Sequence, residues 1–359
     1  MTDVVAGFDI GGTKISLVLA SLSGKNVHRA IEPTDSMTGT IELADDLVTY
    51  LGLAEQLERM LAHALVKTGE PCLKAVGIVS AGPIRSGGLW NPPNIVPIAI
   101  PVSHHSLPRS MPLVSALHET FACPVDLLND CSAAVLGEVF FGLGKDVADK
   151  SSLHLAYATI STGFGVGAWI DGRLILGKDG NAGELGHVFV RKDGLLCGCG
   201  NHGCAEAYCS GTGIVSNAQA HLRNLADLEQ GAPEFYRLAL EAHDTLSSVP
   251  PTLAEVLESV TPTLVFEAAE ASDPLALAVI DDAIFAGGIA FAAIASAYDP
   301  EFISVGGGIA LAHPELLEPI ETEMRVHLNV RAPEVRITPL GTAVTERGAI
   351  AMAMNLLAE

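Results

Sequence analysis

Short apolar runs separated by glycine-rich turns dominate the start of the chain. Residues 4–8 and 15–20 are apolar and flank the sequence IGGTK, which predicts two strands joined by a tight turn with a polar tip. A similar arrangement recurs in the middle of the chain, where residues 153–160 and 166–170 flank STGFG. Two halves of similar plan are therefore expected.

Apolar residues at helical spacing are clearest over two long segments, 43–66 and 274–298. Other segments with this spacing are 132–141, 213–246, 314–328 and 345–357. Further strands are predicted at 75–79, 125–128 and 302–305, because each is an apolar run followed by turn residues. Strands and helices that alternate in this way predict an α/β fold.

The length of the chain favours two domains. Its 359 residues exceed the roughly 250 to 300 at which a single hydrophobic core usually stops growing. A proline-rich, turn-rich stretch covers residues 91–108, so the main boundary is placed near residue 120. The predicted domains are 1–120 and 121–342, and the C-terminal helix within 343–359 could complete the first.

Charge narrows the range of partners. Lys and Arg total 20 against 42 Asp and Glu, so the formal net charge is −22 and the field of the protein repels a phosphate backbone. Nucleic acid is therefore not expected as a partner. A phosphorylated ligand would have to be met locally, by backbone N–H groups, Mg²⁺ or a single lysine.

The same composition bears on location. The first residues contain Asp3 and Asp9 and no basic stretch, unlike a secretory signal. The longest uncharged run, 283–298, is too short to span a membrane comfortably and is typical of a buried helix. Seven cysteines, four of them bunched between 197 and 209, favour metal or thiol chemistry in a reducing compartment. A cytoplasmic protein with no membrane partner is expected.

The turn DIGGTKI at 9–15 is the first candidate site. Its two glycines would let backbone N–H groups approach a phosphate, and Asp9 could hold Mg²⁺ through water. An ordinary hairpin turn would favour the same glycines, and the spacing is not that of a Walker A motif. STGFGVG at 161–167 and VGGGIA at 305–310 add two more glycine clusters after predicted strands, which strengthens the interpretation.

Asn129 and Asp130 follow the apolar run VDLL and precede a helical pattern. A carboxylate at the end of a strand is well placed to accept a proton from a hydroxyl group. The alternative is that Asp130 serves as the N-cap of the helix, since Asp is a favoured capping residue.

The segment 183–206, GELGHVFVRKDGLLCGCGNHGCAE, is the most specific stretch of the chain. His187, Cys197, Cys199 and Cys204 offer one imidazole and three thiolates, a complete tetrahedral set for a structural Zn²⁺. Cys209 and His202 are lesser rivals as ligands. Glutamates stand on either side of this loop, at 184 and 206, so the metal would hold them and His187 in a fixed relation.

These stretches together resemble the ROK family, named for its repressors, open reading frames and kinases. The resemblance runs from DIGGTK through NPPN at 91–94, ND at 129–130, ELGH at 184–187 and CGCGNHGCAE at 197–206 to VGGGIA. It implies a two-domain actin-like, ribonuclease H-like fold with a nucleotide and sugar cleft. The zinc-loop pattern is specific to the family, whereas the glycine turns occur throughout the wider actin and hexokinase superfamily.

The resemblance also implies a role for each matching position. Asp130 would be the catalytic base, and Asp9 would face Mg²⁺. Sugar hydroxyl contacts are implied for Asn94, Asn129, Glu184, His187 and Glu206. ATP phosphates would lie between Gly11, Gly12, Thr13 and Lys14 on one side and Thr162 and Gly163 on the other, with Gly307 and Gly308 near the adenosine.

The implied activity is ATP-dependent phosphorylation of a hexose, at C6, with glucose as the leading substrate and N-acetylmannosamine, N-acetylglucosamine and fructose as alternatives. Whether polyphosphate can replace ATP stays open, and a homodimer is expected. A sugar-responsive ROK repressor is a second reading, opposed by the acidic charge and by the eight residues before Asp9, too few for a helix-turn-helix. A glycosidase that uses Glu184 and Glu206 is a third.

Overall fold

The structure is a computed structural model that describes residues 2–35, 38–92, 95, 106–178, 180–225, 234–235, 237–238 and 253–358. Two compact units are present, one comprising Met1–Tyr157, Gly167–Gly183 and Thr338–Glu359, the other Ala158–Val166 and Glu184–Ile337. Residues 121–157 thus group with the first unit, as does the C-terminal helix. This grouping reflects proximity, so the predicted boundary near residue 120, which concerns domains that fold separately, stays a prediction.

The fold is mixed α/β. The strands are β1 Asp3–Ile10, β2 Lys14–Ser21, β3 Asn26–Pro33, β4 Ile41–Leu43, β5 Val48–Tyr50, β6 Cys72–Ser80, β7 Ile84–Arg85, β8 Gly88–Trp90, β9 Arg109–Pro112, β10 Val125–Asn129, β11 Leu155–Ile160, β12 Phe164–Ile170, β13 Arg173–Leu174, β14 Phe302–Gly306 and β15 Glu334–Ile337. The helices of the described residues are α1 Gly52–Lys67, α2 Val114–Phe121, α3 Asp130–Phe141, α4 Glu206–Cys209, α5 Gly211–Arg223, α6 Leu253–Ser259, α7 Pro262–Glu270, α8 Pro274–Tyr298, α9 Gly308–Ala312, α10 Leu317–Val326 and α11 Val344–Asn355.

The first unit contains a sheet with the strand order β10-β6-β1-β2-β3. The predicted hairpin is confirmed, since β1 and β2 are antiparallel, whereas β6 runs parallel to both β1 and β10. Ile10 pairs with Ser80, and Ser80 pairs with Asn129. The carboxyl ends of β1, β6 and β10 therefore lie side by side at one edge of the sheet.

Both faces of this sheet are buried. Because successive side chains of a strand point to opposite faces, Phe8 joins a core that includes Leu53 of α1, and Val5 joins another that includes Ile350 of α11. Burial on both faces explains why the strands read as continuous apolar runs rather than as alternating ones.

Glycines let α11 approach its neighbours closely. A Cβ atom on Gly77 of β6 would clash with the carbonyl group of Ala349, and one on Gly348 would clash with that of Ala133 in α3. The C-terminal helix therefore packs closely on both the sheet and α3, and these contacts fix its position.

The predicted helix over 43–66 is wrong at its start. Helix α1 begins at Gly52, and residues before it form β4 and β5 of a small sheet with the order β4-β5-β9-β8-β7. Val48 and Tyr50 are buried, and the Tyr50 hydroxyl donates a hydrogen bond to the carbonyl group of Asp35. Apolar residues two apart at the end of a helical pattern fit a strand equally well, and the tertiary contacts decide.

The proline-rich stretch 91–108 was predicted to lack regular elements, and its described residues belong to no helix or strand; β8 and β9 of the small sheet lie on either side of it. Strand β8 pairs with β9, which joins Trp90 to Ser110. Residues 93–94 and 96–105 lie outside the described part of the chain, and so does most of 226–252. The prediction of one helix over 213–246 is wrong at Arg223, where α5 ends with Asn224 as its C-cap, and most of the remainder of that prediction lies outside the described residues.

Strands β14 and β15, both in the second unit, run parallel and are neighbours in a sheet of order β13-β12-β11-β14-β15. Helix α8 has the bounds predicted from the sequence, and its first turn is capped by Asp273, which accepts hydrogen bonds from the N–H groups of Leu275 and Ala276. Phe291 of α8 packs edge-on against Phe164, with ring centroids 6.1 Å apart. By length and composition α8 could cross a membrane, but half of its most apolar stretch is buried inside the protein, which is typical of a core helix.

Candidate functional site

The turn between β1 and β2 is held by backbone contacts and leaves its tip accessible. The N–H group of Gly11 donates to the carbonyl group of Lys14 at 2.9 Å, and the Thr34 hydroxyl donates to the carbonyl group of Gly11 at 2.7 Å. Gly12, Thr13 and Lys14 are exposed. The turn is a hairpin, and it presents the backbone and the one lysine that the sequence analysis assigned to a phosphate.

Asp9 is the next-to-last residue of strand β1 and precedes this turn. Its Oδ2 atom accepts a hydrogen bond of 2.6 Å from the hydroxyl group of Thr345 in α11. Burial raises the pKa of Asp9, while the bond from Thr345 and the charge of Lys14 act in the opposite direction. The negative charges of Asp130 and Glu346 add to the upward shift.

Asn129 and Asp130 both accept a backbone hydrogen bond at the start of α3. Asn129 is the N-cap residue, and its Oδ1 atom accepts the N–H group of Cys131 at 2.9 Å. Asp130 is the first helical residue, and its Oδ1 atom accepts the same N–H group at 2.8 Å. The alternative that Asp130 is the capping residue is therefore not what the structure has, although its carboxylate contributes to the cap.

Burial also raises the pKa of Asp130, against the hydrogen bonds from Cys131 and Asn129 that lower it. A carboxylate with a raised pKa holds a proton more readily than an ordinary one and is a stronger base. Asp9 and Asp130 repel each other at the common edge of β1 and β10, as the electrostatic influence of Asp130 on Asp9 indicates. This edge is an acidic site that a cation would stabilise.

In the second unit, a cavity of about 450 Å³ lies beside the turn between β11 and β12. Its walls combine hydroxyl groups, glycine backbone and a few apolar side chains: Ser161, Thr162, Gly211, Thr212, Val215, Ser216, Pro262, Gly308 and Ile309. A small number of polar groups among apolar ones is typical of a site for a small organic ligand.

Backbone contacts hold this cavity together. The N–H group of Gly211 donates to the carbonyl group of Ser161 at 2.7 Å, and the Thr212 hydroxyl donates to that of Thr162 at 2.8 Å. Gly307 has a φ of 94°, and a Cβ atom there would clash with the carbonyl group of Ile160. Only glycine fits that position without strain.

The structure brings predicted and unpredicted residues together in this cavity. Thr162 and Gly308, which the family resemblance assigns to ATP, line it together with Val215, Ser216 and Pro262, which were not predicted as site residues. The hydroxyl-and-glycine run at 210–213 was the available signal, because it resembles the other two clusters in composition. Apolar wall residues carry no such signal.

His187, Cys197, Cys199 and Cys204 lie together, with their ligand atoms all within 4.8 Å of one another. The Sγ atoms of Cys199 and Cys204 are 3.7 Å apart, and Cys197 Sγ is 3.6 Å from His187 Nδ1. A tetrahedral zinc ion with ordinary bond lengths would give edges of about 3.8 Å between sulfurs and about 3.6 Å between sulfur and nitrogen. The four residues therefore fit a zinc ion.

The two rival ligands have other surroundings. His202 makes a hydrogen bond of 2.9 Å through Nδ1 with the carbonyl group of Gly194, and the buried Cys209 lies outside the cluster formed by the described residues. Burial raises the pKa of the Cys197 and Cys204 thiols. Burial therefore disfavours the thiolate forms, and a bound metal cation would stabilise them.

Glu184 and Glu206 flank this cluster in different ways. Glu184 is largely exposed and places Oε2 3.5 Å from His187 Nε2. Glu206 is mostly buried, with Oε1 3.4 Å from Cys197 Sγ and Oε2 accepting the N–H group of Phe164 at 2.9 Å. A Cβ atom on Gly163 would come within 2.8 Å of that carboxylate, so Gly163 contacts Glu206.

The predicted site residues thus form groups within each unit. Asp9, Asn129, Asp130 and the turn 11–14 belong to the first unit, whereas Thr162, Gly163, Gly307, Gly308 and the metal cluster belong to the second. Asn94 lies outside the described residues. Thr345, which contacts Asp9, was not found from the sequence.

Several known sugar kinases are similar to this chain in sequence. The chain is 29% identical over 341 residues to a glucokinase of Halalkalibacterium halodurans, covering 93% of this chain and 90% of that one. It is 34% identical over 286 residues to a glucokinase of Pyrobaculum calidifontis, covering 78% of each. An N-acetylmannosamine kinase of Vibrio vulnificus is 34% identical over 216 residues, covering 60% of this chain and 64% of that one.

Solved structures share the whole fold. A ROK hexokinase of Thermus thermophilus superposes with a TM-score of 0.75 and 27% identity, covering 99% of both chains. A ROK glucokinase of Streptomyces griseus in complex with glucose and AMPPNP gives a TM-score of 0.68 and 27% identity, covering 98% of this chain and 99% of that one. The sequence pattern of the ROK family matches residues 5–358, and the chain therefore belongs to the ROK family.

Proposed function

We propose that this chain is a sugar kinase that transfers the γ-phosphoryl group of ATP to the C6 hydroxyl group of glucose. The two similar glucokinases support sugar phosphorylation, and the Streptomyces griseus structure with glucose and AMPPNP supports a nucleoside triphosphate as donor. The similar N-acetylmannosamine kinase makes N-acetylmannosamine or N-acetylglucosamine the alternative acceptor. The two-domain actin-like organisation that the family resemblance implies belongs to the same proposal.

The observation that carries the proposal is the placement of Asp130. The end of β10 and the cap made by Asn129 hold this carboxylate at an edge of the sheet, and burial raises its pKa. Asp130 accepts the proton of the sugar hydroxyl group as that oxygen attacks the γ-phosphorus. Because phosphoryl transfer asks little covalent chemistry of a protein, most of the rate enhancement would come from positioning and charge neutralisation.

The cavity beside Thr162 is proposed to hold the adenosine. The triphosphate would extend from it toward the glycine turn at 161–163. The cavity's volume of about 450 Å³ and its mixture of hydroxyl, glycine and apolar walls suit a nucleoside. The exposed backbone at Gly12 and Thr13 and the ammonium group of Lys14 would supply further phosphate contacts, next to the half-buried Gly11.

Two metal ions belong to the proposal. Mg²⁺ would neutralise negative charge on the transferring phosphate. Asp9 is the carboxylate proposed to face this ion, because Mg²⁺ prefers oxygen ligands and because Asp9 has acidic neighbours. Zn²⁺ would be held by His187 and the three cysteines with all four positions filled, which gives it a structural role.

Sugar recognition is proposed for the residues that flank the metal cluster and the base. Glu184, His187 and Glu206 would meet the sugar hydroxyl groups together with Asn129 and Asn94. The Nδ1 atom of His187 faces Cys197, so its Nε2 atom, 3.5 Å from Glu184, is the one that remains for a hydroxyl group.

A panel of hexoses at saturating ATP tests the proposal. Glucose, mannose, fructose, N-acetylglucosamine and N-acetylmannosamine would each be assayed for ADP formation, with polyphosphate as a second donor and NMR to identify the phosphorylated position. Glucose should give the highest kcat/KM and a 6-phosphate product. A higher value for an N-acetylhexosamine would favour the alternative substrate, and no sugar-dependent ADP from any of them would contradict a kinase.

The base is tested separately with Asp130→Asn. Turnover should fall roughly 100-fold or more, while glucose affinity measured by calorimetry changes little. The exposed Asp171 offers a matched control, since Asp171→Asn makes the same chemical change at a surface ion pair with His154. Full turnover of the Asp130 variant would show that another group takes the proton.

The rival classes have separate readouts. A sugar-responsive repressor would bind DNA, which the net charge of −22 opposes. A glycosidase built on Glu184 and Glu206 would release sugar from a glycoside without ATP. In the glycosidase reading Glu206 would need a free carboxylate, but one of its oxygens accepts the N–H group of Phe164. A homodimer stays a prediction from the family resemblance.

A further inference from the structure

The C-terminal helix contacts the acidic edge of the first sheet through one hydroxyl group. Thr345 is the second residue of α11, and its Oγ1 atom donates to Asp9 Oδ2 over 2.6 Å. The two residues are 336 positions apart in the chain. Hydrogen bonds to a charged acceptor are short and roughly twice as strong as neutral ones.

The first turn of α11 is itself firmly held. Glu346, the next residue, accepts a hydrogen bond from Ser16 at 2.5 Å and pairs with Arg29 through bonds of 2.5 and 3.1 Å. Farther along, the close approaches at Gly77 and Gly348 seat the helix on the sheet and on α3. The Thr345 hydroxyl group is therefore delivered to Asp9 by a rigid element.

Three charged side chains surround Asp9 and act on its carboxylate together with the bond from Thr345. Asp9 is faced by Asp130 from α3, by Glu346 from α11 and by Lys14 from β2. Burial is the largest influence and raises the pKa of Asp9, and both acidic neighbours act in the same direction. The bond from Thr345 is the largest influence that lowers it, larger than that of Lys14. Arg29 pairs with Glu346, which moderates that neighbour.

We propose that Thr345 is a positioning residue for the magnesium–nucleotide site: its hydroxyl group fixes Asp9 Oδ2 and so directs the other carboxylate oxygen toward the cation. The inference rests on the proposed role of Asp9 at Mg²⁺. The bond also stabilises the ionised form of Asp9, which is the form that a cation requires.

Calorimetric titration with AMPPNP, with and without Mg²⁺, tests this role. Thr345→Val removes only the hydroxyl group and should weaken MgAMPPNP binding roughly tenfold, while binding in EDTA is unchanged. Thr345→Ser keeps a donor and should restore most of the affinity. Thr322→Val is the matched control, because Thr322 is exposed on α10 and its hydroxyl group donates only to the carbonyl group of Glu318.

Two further readouts separate positioning from a general loss of structure. In Thr345→Val the circular dichroism spectrum should match that of the unaltered protein, so that weaker MgAMPPNP binding reflects the site and not unfolding. In a double-mutant cycle with Asp9→Asn, the two changes should be far from additive, because the second removes the partner of the first. Additive effects, or equal weakening with and without Mg²⁺, would overturn the inference.

The same measurements distinguish this inference from the proposed reaction. If the protein binds MgAMPPNP with the expected coupling but phosphorylates no hexose, the reaction is wrong and the role of Thr345 stands. If hexose phosphorylation is found and Thr345→Val binds MgAMPPNP like the unaltered protein, the reaction stands and the inference fails. Absence of Mg²⁺-dependent AMPPNP binding in the unaltered protein would overturn both.

Discussion

The carboxylate of Glu206 accepts the backbone N–H group of Phe164 over 2.9 Å. Its second oxygen lies 3.4 Å from Cys197 Sγ, so one side chain connects the proposed zinc loop to the glycine turn at 161–163. Gly163 lies against the same carboxylate, so a Cβ atom there would come within 2.8 Å of Oε2 and would require Glu206 to move. The metal cluster is therefore in a position to influence the turn proposed to bind phosphate, although none of its ligands comes from that turn.

Glu206→Ala should weaken nucleotide binding as well as sugar binding. Loss of the acceptor leaves the N–H group of Phe164 without its partner and frees the turn, and a hydrogen bond to a charged group contributes about 1.5 to 3 kcal/mol, which predicts an increase in the KM for ATP of roughly tenfold or more. Glu206→Gln keeps a carbonyl acceptor and should raise this KM much less. A role confined to the sugar would raise only the KM for the hexose, in both variants.

Removal of the metal should destabilise the second unit. Cys204→Ser, or treatment with a zinc chelator, is expected to lower the zinc content from about one per chain to near zero and to lower the melting temperature by several degrees or more, because structural zinc contributes directly to folding. Elemental analysis and thermal unfolding measure both effects. Cys72→Ser lies outside the cluster, in β6, and should change neither. Purified protein that contains no zinc and is unaffected by chelators would contradict the assignment.

Asp130 should be a site where function costs stability. Because burial raises its pKa in the folded state, the folded protein binds this proton more tightly than the unfolded chain does. The contribution to stability is fully present below the unfolded pKa and is lost as the pH rises through the folded pKa. Asp130→Asn should therefore raise the melting temperature at pH 8, with a gain that shrinks toward pH 4.

Differential scanning fluorimetry across this pH range checks the expectation, with Asp171→Asn as the surface control. A fall in the melting temperature of the Asp130 variant at pH 8 would mean that the carboxylate stabilises the fold through its contacts with Cys131 and Asn129. Those contacts are the influences that oppose burial.

Neighbouring glycines at the cavity should respond to alanine in opposite ways. Gly307→Ala introduces a side chain at a φ of 94° and against the carbonyl group of Ile160, so it should destabilise the protein by about 1 to 3 kcal/mol. Gly308→Ala meets only Ser161 Oγ, at 3.8 Å, and should fold normally while narrowing the cavity and raising the KM for ATP. Denaturant unfolding and steady-state kinetics separate the two effects. An unchanged KM for ATP in Gly308→Ala would argue against the nucleotide assignment of the cavity.

Sequence reasoning succeeded where a signal is local. The hairpin of β1 and β2 and helix α8 are each encoded by residues close together in the chain, and the structure has both. The four proposed metal ligands also come from one short segment, and their side chains lie together. It failed at residues 43–51, where a helical pattern runs into a strand. Whether Tyr50 ends a strand or enters a helix depends on the strands that pair with β5, namely β4 and β9. The local pattern of apolar residues carries no information about this pairing.

By itself, therefore, the sequence determined the α/β character of the fold, the grouping of one histidine and three cysteines, and the position of Asp130 between a strand and a helix. Only the tertiary structure decided that Asn129 is the capping residue, that Val215 and Pro262 line the cavity, and that Thr345 contacts Asp9. The reason is physical: backbone periodicity and ligand spacing act over a few residues. Contacts across hundreds of residues exist only once the sheets and helices have packed.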